Sequence, residues 1–470
     1  QDASARCRPA SRGPFRMAEM DASACDAAAA PATSGQGAPG PGAGAHTGGD
    51  AASGADATRG GAAAGGAALE GVASAQATRE QVTVVEFFAG MGGMRVAGVE
   101  SGVPMKVVAA YEVSEICAEA YRFNFGTDEW HLKTIERLSR DELEAHGATC
   151  WLMSPPCQPF TRSGRRQDHE DARTQPLLHL IQLLGEMRKP PSYVLVENVI
   201  GFERSESRRR LLSALAEHGW EGAEFALDPE EFGLPNRRPR YYGLFRAMGT
   251  QPALGCEVAC RWQPVADLLE ANSPNAAPLL QGPPWETQPA SPLGDFLQGL
   301  AGVAEEEREL KCSLEVPQEI LKDRDDKAGR FDIHLRSDRT SACLTKMNGK
   351  LPRGFSPLVV VDEAEAGPLE QRPKVSAQGD GPGAATDYVW RPGVRLRYLS
   401  PAEQLRLMGY PSGYRFPPRQ NFKVRCALIG NSLNVCIVSW LLRVLLQDEG
   451  AAALAEPPPA AAAAAEASGR

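Results

Sequence analysis

The chain lacks several things that would point to common functional classes. It has eleven cysteines among 470 residues but no Cys-x-x-Cys pair. Cys256-x-x-x-Cys260 is the nearest approach to a metal spacing, and no second pair or histidine cluster completes it, so no bound metal is expected. Scattered cysteines fit a reducing compartment, the cytosol with the nucleus. No run of about 18 apolar residues occurs, so no membrane span is expected. Residues 1–79 contain almost no large apolar side chains; this Ala/Gly-rich leader cannot bury enough surface to offset its ordering entropy and is expected to be disordered. The Ala/Pro-rich tail, 448–470, reads the same way. Arg6, Arg8, Arg12 and Arg16 precede two candidate initiators, Met17 and Met20, and read either as translated leader or as an organelle transit segment. The net charge of −9 argues weakly against a polyanionic partner. The charge is segregated, however. Basic residues gather at Arg162–Arg166, Arg204–Arg210 and Arg237–Arg240, and acidic ones at Glu305–Glu307 and Asp362–Glu370.

What is present begins with an apolar run, Val82 to Phe88, suited to a strand buried on both faces. Gly90, Gly92 and Gly93 follow at once, and a helix-compatible stretch opens at Met94. Strand, glycine turn and helix together start a Rossmann-like unit, in which glycine lets the backbone approach a ligand closely. A second strand, Val107 to Tyr111, ends at Glu112, nineteen residues after Gly93. An acid there can accept both hydroxyls of a ribose. Dinucleotide enzymes and methyltransferases share this fingerprint. The Phe-x-Gly-x-Gly-Gly pattern, in place of Gly-x-Gly-x-x-Gly, favours a cofactor without a pyrophosphate.

Downstream, Pro156-Cys157-Gln158 follows a strand-like run, Cys150 to Met153. Two prolines stiffen the loop ahead of the thiol, and Cys157 is the candidate nucleophile. Glu197 ends the apolar run Tyr193–Val196; burial there raises a carboxyl pKa and keeps a proton available. Arg238 and Arg240 alternate on an expected strand, Arg238–Phe245, so both should face one side. Gly430-Asn-Ser-Leu-Asn-Val435 closes the series.

In this order the motifs resemble those of the cytosine-5 methyltransferase family, unpermuted, across about residues 82 to 445. Cytosine C5 needs a thiolate at C6 to become nucleophilic, an acid near N3, and donors at O2; Cys157, Glu197 and the arginines match those needs. The resemblance implies a class I, Rossmann-like α/β fold with a mixed, mainly parallel sheet and a smaller target-recognition domain. It implies S-adenosyl-L-methionine as cofactor, held by Phe88, Gly90, Met91, Gly92, Gly93, Glu112, Ile135, Glu136, Ser154, Asn431 and Ser432. It adds Arg162 to the catalytic set.

The finer strings are similar to one branch, the DNA methyltransferase homologue 2 group: Ser154 to Arg162, Lys133-Thr-Ile-Glu136, Glu197-Asn-Val-x-Gly-Phe202, Leu428 to Val435, and Arg397 to Glu403 followed by Leu407 to Pro411. The branch acts on cytosine 38 in the anticodon loop of aspartate tRNA, which implies tRNA as partner, DNA as a weaker one, and a cytoplasmic and nuclear monomer. One departure concerns the recognition string: Cys343-Leu344-Thr345-Lys346 stands where the branch has Cys-Phe-Thr. A DNA cytosine-5 methyltransferase and a catalytically silent nucleic-acid-binding protein are the alternatives. The expected layout is a catalytic domain at 80–246, a target-recognition domain at 247–390 with a flexible acidic insertion at 363–387, and a C-terminal return at 391–447 whose last helix packs beside the first strand.

Overall fold

Buried apolar runs alternating with glycine and serine turns generate the architecture. A computed structural model describes residues 81–160, 168–249, 261–270, 280–322, 331–350, 352, 356–373 and 386–446. The expected leader, the tail, Arg162, and Cys256 with Cys260 lie outside the described residues.

In chain order the large domain opens with β1 (Val82–Phe87), α1 (Gly93–Ser101), β2 (Met105–Glu112), α2 (Glu115–Phe125), β3 (Trp130–Leu132), α3 (Arg140–Ala145) and β4 (Cys150–Met153). It continues with α4 (Gln175–Glu186), β5 (Tyr193–Val199), α5 (Glu206–Glu217), β6 (Trp220–Leu227), β7 (Arg240–Ala247), β8 (Gln263–Pro264) and α6 (Val265–Glu270). These build one eight-stranded sheet in the order β3-β2-β1-β4-β5-β7-β6-β8. The pairs from β3 through β5 are parallel, and β7 runs antiparallel between β5 and β6. Chain order reverses between β1 and β4, and the crevice at such a switch point, beyond the carboxyl ends of the strands, is where open α/β sheets bind ligands.

Both faces are covered. Val84 and Val85, neighbours on the central strand, point to opposite faces and enter different cores. Leu177, Leu180, Ile181 and Leu184 of α4 recur at helical spacing and fill one of these cores with Leu211, Leu212 and Leu215 of α5. Ser114, Ser139 and Ser205 cap α2, α3 and α5, each accepting a main-chain N–H from the first turn.

The remaining elements are α7 (Leu300–Leu310), α8 (Gln318–Lys322), β9 (Asp332–His334), β10 (Pro357–Val360), α9 (Glu363–Ala366), β11 (Gln371–Pro373), β12 (Thr386–Tyr388) and β13 (Leu396–Tyr398), then α10 (Pro401–Leu407), α11 (Phe422–Asn431) and α12 (Val435–Leu446). Strands β13, β10 and β9 form a small separate sheet over a core that includes Phe331, Ile333, Leu358, Trp390 and Leu396.

Three expectations change. The large domain does not stop at 246: β8 adds its eighth strand, Val265 and Leu268 enter its core, and Trp285 stacks edge-on to Phe232 and Trp440. The return segment does not begin at 391, because β13 pairs with β10 in the small sheet; apolar alternation cannot say which sheet a three-residue strand joins. The acidic stretch 363–387 is partly built. Asp362 caps α9 through the main-chain N–H groups of Ala364 and Glu365, and β11 pairs with β12; residues 374–385 lie outside the described residues.

The last helix packs chiefly on α1, on one face of the sheet. Phe422–Leu446 is long and apolar enough to cross a membrane by composition. It is broken at 432–434, and Ile437, Val438, Trp440 and Leu441 are fully buried in the protein core.

Candidate active site

At the switch point the glycine loop is held from below and behind. Phe88 has φ 57°, a left-handed value unusual for an aromatic residue. Gly92 has φ 87°, and a Cβ there would fall on the Phe125 ring. A Cβ on Gly93 would sit 2.9 Å from the Tyr410 hydroxyl and 3.0 Å from Ser432 Oγ. Tyr414 donates to the Met91 carbonyl at 2.7 Å, and the Tyr410 hydroxyl lies 2.5 Å from Ser432 Oγ. The motif near the C-terminus therefore braces the loop near the start.

Glu112 is fixed by three main-chain donors. Gly90 N–H reaches Oε2 at 3.1 Å, and Val113 and Ser114 reach Oε1 at 2.8 and 3.0 Å. These bonds hold the carboxyl group in place, and its oxygens can also accept from hydroxyl groups.

A cavity of about 550 Å³ opens here. Phe88, Gly90, Glu112, Ile135, Glu136, Ser154, Asn431 and Ser432 line one part, and Cys157, Glu197, Arg238 and Arg240 another. Met91, Gly92 and Gly93 shape the loop without lining the cavity. Residues that sequence reasoning left unassigned also line it: Val113, Ser114, Lys133 and Arg173. Arg173 is pinned by Asp171, Nε to Oδ1 at 2.9 Å and Nη2 to Oδ2 at 2.6 Å. Its place beside Cys157 on the cavity wall is made by the fold and has no local sequence signal. Tyr410 stood inside a quoted motif and Tyr414 lies just beyond it, but only packing reveals their bracing role.

Burial pushes the Cys157 thiol above its ordinary pKa; Arg240 and Arg238 oppose this, while the Glu197 carboxylate adds to it. Burial likewise raises Glu197, against the pull of Arg240 and Arg238. Glu197 Oε1 lies 3.6 Å from Arg240 Nε. Asn198, next on β5, reaches the Pro155 carbonyl at 3.4 Å and ties the acid's strand to the nucleophile loop. Phe160 stacks edge-on to Phe202 at 5.0 Å, and Gly201 leaves room for the Phe160 carbonyl.

One expectation fails. Strand β7 begins at Arg240, not Arg238. Arg238 precedes it in the chain segment leading into the strand and is 3 % exposed, with Nη1 donating to the Leu344 carbonyl at 2.7 Å and Nη2 to the carbonyls of Gly430 and Ser432. The two arginines are therefore not equivalent neighbours on one strand face. In the recognition string, Leu344 is fully buried in the large core, Cys343 and Thr345 are half-buried, and Lys346 is exposed. None of the four lines the cavity. The basic cluster 204–210 is also largely neutralised. Arg209 and Arg210 pair with Glu206, Arg204 lies 3.6 Å from Glu203, and Arg208 pairs with buried Glu224.

The described residues fit S-adenosylmethionine. Gly92 and Gly93 leave no room for a side chain, Glu112 offers acceptors, and the cavity runs from there to the thiol.

Comparison with known proteins agrees. Residues 82–251 match the family of C-5 cytosine-specific DNA methylases. A Dictyostelium discoideum protein named DNA (cytosine-5)-methyltransferase is 33% identical over 78% of this chain and 95% of its own length. The human tRNA (cytosine(38)-C(5))-methyltransferase is 31% identical over 78% of this chain and 100% of its own. The crystal structure of a mutant Spodoptera frugiperda DNMT2 superimposes with TM-score 0.59 at 26% identity, over 78% of this chain and all of that one. The chain belongs to the C-5 cytosine methyltransferase family, in its DNA methyltransferase homologue 2 branch, and uses S-adenosylmethionine as methyl donor.

Proposed function

We propose that this enzyme methylates C5 of cytosine 38 in the anticodon loop of aspartate tRNA, through a covalent bond between Cys157 and C6 of the base. The observation that carries the chemistry is the convergence of Cys157, Glu197 and Arg240 on one cavity shared with Glu112 and Ser432. Support for the substrate is the naming of relatives in several animals and a fission yeast as tRNA (cytosine(38)-C(5))-methyltransferases.

In this reading the thiol loses its proton and Sγ bonds to C6. Glu197 supplies a proton to N3, which takes up the charge that addition places on the ring. Arg240 holds O2. When bound, S-adenosylmethionine would supply the electrophilic methyl group that C5 takes up, leaving as S-adenosylhomocysteine. The C5 proton then passes to solvent, its bonding pair re-forms the C5–C6 double bond as the Sγ–C6 bond breaks, N3 returns its proton to Glu197, and the thiolate is regenerated. A loop base suits this chemistry, since it costs less to extrude than a paired one. Seven free cysteines among the described residues fit a reducing cytoplasmic and nuclear setting.

DNA is the second reading, favoured by the name of the Dictyostelium relative. Methyl transfer from tritiated S-adenosylmethionine to aspartate tRNA decides between them, run beside a transcript with uridine at position 38 and beside duplex DNA. Counts on the tRNA, lost in the uridine transcript, are expected; counts on DNA alone would overturn the tRNA reading. Cys157→Ala should cut turnover to below about a thousandth while leaving affinity for S-adenosylhomocysteine nearly unchanged.

A further inference from the structure

Arg238 sits where three segments meet. The first is the approach to β7, which is zipped to the recognition string. Arg237 N–H donates to the Ser341 carbonyl at 3.0 Å, Asn236 Nδ2 to the Ala342 carbonyl at 2.9 Å, and Ser341 Oγ to the Pro235 carbonyl at 2.6 Å. The second is Cys343–Lys346 itself, whose Leu344 carbonyl accepts from Arg238 Nη1 at 2.7 Å, with Cys343 Sγ at 3.5 Å from the same nitrogen. The third is the end of α11. There the Gly430 carbonyl accepts from Nη2 at 3.3 Å, and the Ser432 carbonyl accepts from the same nitrogen. The last two segments also touch directly. A Cβ on Gly430 would fall on the main chain of Thr345, so only glycine lets them meet.

The guanidinium is thus buried among main-chain carbonyls, with none of the described ion pairs to a carboxylate. The final carbonyls of a helix carry partial negative charge and have no intrahelical donors, and α11 offers them here to a fixed fork of N–H groups. Burial pulls the Arg238 pKa down from its ordinary value, yet five donors in a rigid plane can serve several acceptors at once. Ser432, one of those acceptors, lines the cofactor part of the cavity.

We propose that Arg238 is a positioning residue that locks the target-recognition segment to the cofactor-binding motif, so that each site is fully formed only when the other is in place. Its side chain acts through the Ser432 and Leu344 carbonyls and not on the cytosine ring, which is left to Arg240. Cofactor and nucleic acid then share one structural joint, and loosening it weakens both. The inference borrows the tRNA reading only for its choice of probe.

The test is Arg238→Lys, which keeps a positive charge but cannot span the three carbonyls. Affinity for S-adenosylhomocysteine and for the aspartate tRNA transcript should each fall about tenfold, a size usual for coupled sites. The single-turnover rate at saturation should stay within about threefold of wild type. A loss of about a hundredfold in that rate with both affinities intact would place Arg238 on the base and overturn the proposal. Weakening of one ligand alone, or a lower melting temperature with both affinities unchanged, would also overturn it. Hydrogen exchange on the wild-type protein needs no variant: S-adenosylhomocysteine should slow exchange at 343–350, and no change there sinks the idea. Wild-type turnover on the same transcript separates failure of the tRNA reading from failure of this one.

Discussion

Glu197 Oε1 stands 3.6 Å from Arg240 Nε, diagonally across the antiparallel pair in which Glu197 faces Tyr242 and Arg240 faces Val199. Acid and cation thus share one sheet face, and both line the cavity with the Cys157 thiol. They act on the thiol with opposite sign, the arginine stabilising its thiolate and the carboxylate disfavouring it.

This opposition can be measured on the free enzyme. Removing the cation with Arg240→Met should move the pH profile of Cys157 alkylation to the alkaline side. Removing the carboxylate charge with Glu197→Gln should move it to the acid side. Iodoacetamide labelling, read at the Cys157 peptide by mass spectrometry, reports both. Shifts of the same sign in the two variants would contradict the arrangement.

Glu86 is a buried acid in β1, 1 % exposed, pushed up to about 8 by burial against the lowering influence of Arg95 and Tyr121. The groups facing it are Tyr121, whose hydroxyl donates at 3.3 Å, Arg95 on α1, and Tyr410 and Tyr414 from the C-terminal segment. The folded protein keeps this proton where the unfolded chain, with an ordinary carboxyl near 4.5, has released it. Stability from this group is therefore complete below pH 4.5 and declines as pH rises toward about 8. Glu86→Gln should flatten that decline, so its melting temperature gains on wild type between pH 6 and pH 8. A parallel pair of melting curves would refute it.

Arg208 and Glu224 form a pair 3 % and 2 % exposed, and Tyr241 donates to the same carboxylate at 2.5 Å. Arg208→Met leaves an uncompensated buried charge and should cost about 3–5 kcal/mol in urea unfolding. Arg208→Met with Glu224→Leu should recover much of that. The pair lies away from the cavity lining, so kcat below the melting range should not change.

Leu344 offers a different kind of test. It stands where the branch has phenylalanine, but it is fully buried in the large core. Leu344→Phe should overpack that core and cost about 1–3 kcal/mol, with no gain in KM for the nucleic acid. A tighter KM would show that the position reads substrate after all.

The sheet and its switch point were legible because period and punctuation are local. Val82–Phe87 is a continuous apolar run that ends at glycines, and Cys157 and Glu197 each follow such a run. The individual roles of Arg238 and Arg240 were not legible. Two arginines separated by one proline look alike in sequence; one is held by carbonyls from residues 344, 430 and 432, and the other meets Glu197. The burial of Leu344 and the pairing of the 204–210 arginines were hidden for the same reason, since their partners are set by helix phase and docking.

By itself the sequence determined the order of chemical groups: glycine loop, acid after the second strand, thiol, acid of the fifth strand, arginines and closing motif. It also determined which segments must be buried, because hydrophobic burial follows composition and periodicity. Only the tertiary structure decided which groups share the cavity, that the C-terminal tyrosines brace the N-terminal glycine loop, and that the recognition string presses its main chain on Gly430. Those contacts join residues far apart in the chain, and close packing, not local propensity, fixes them.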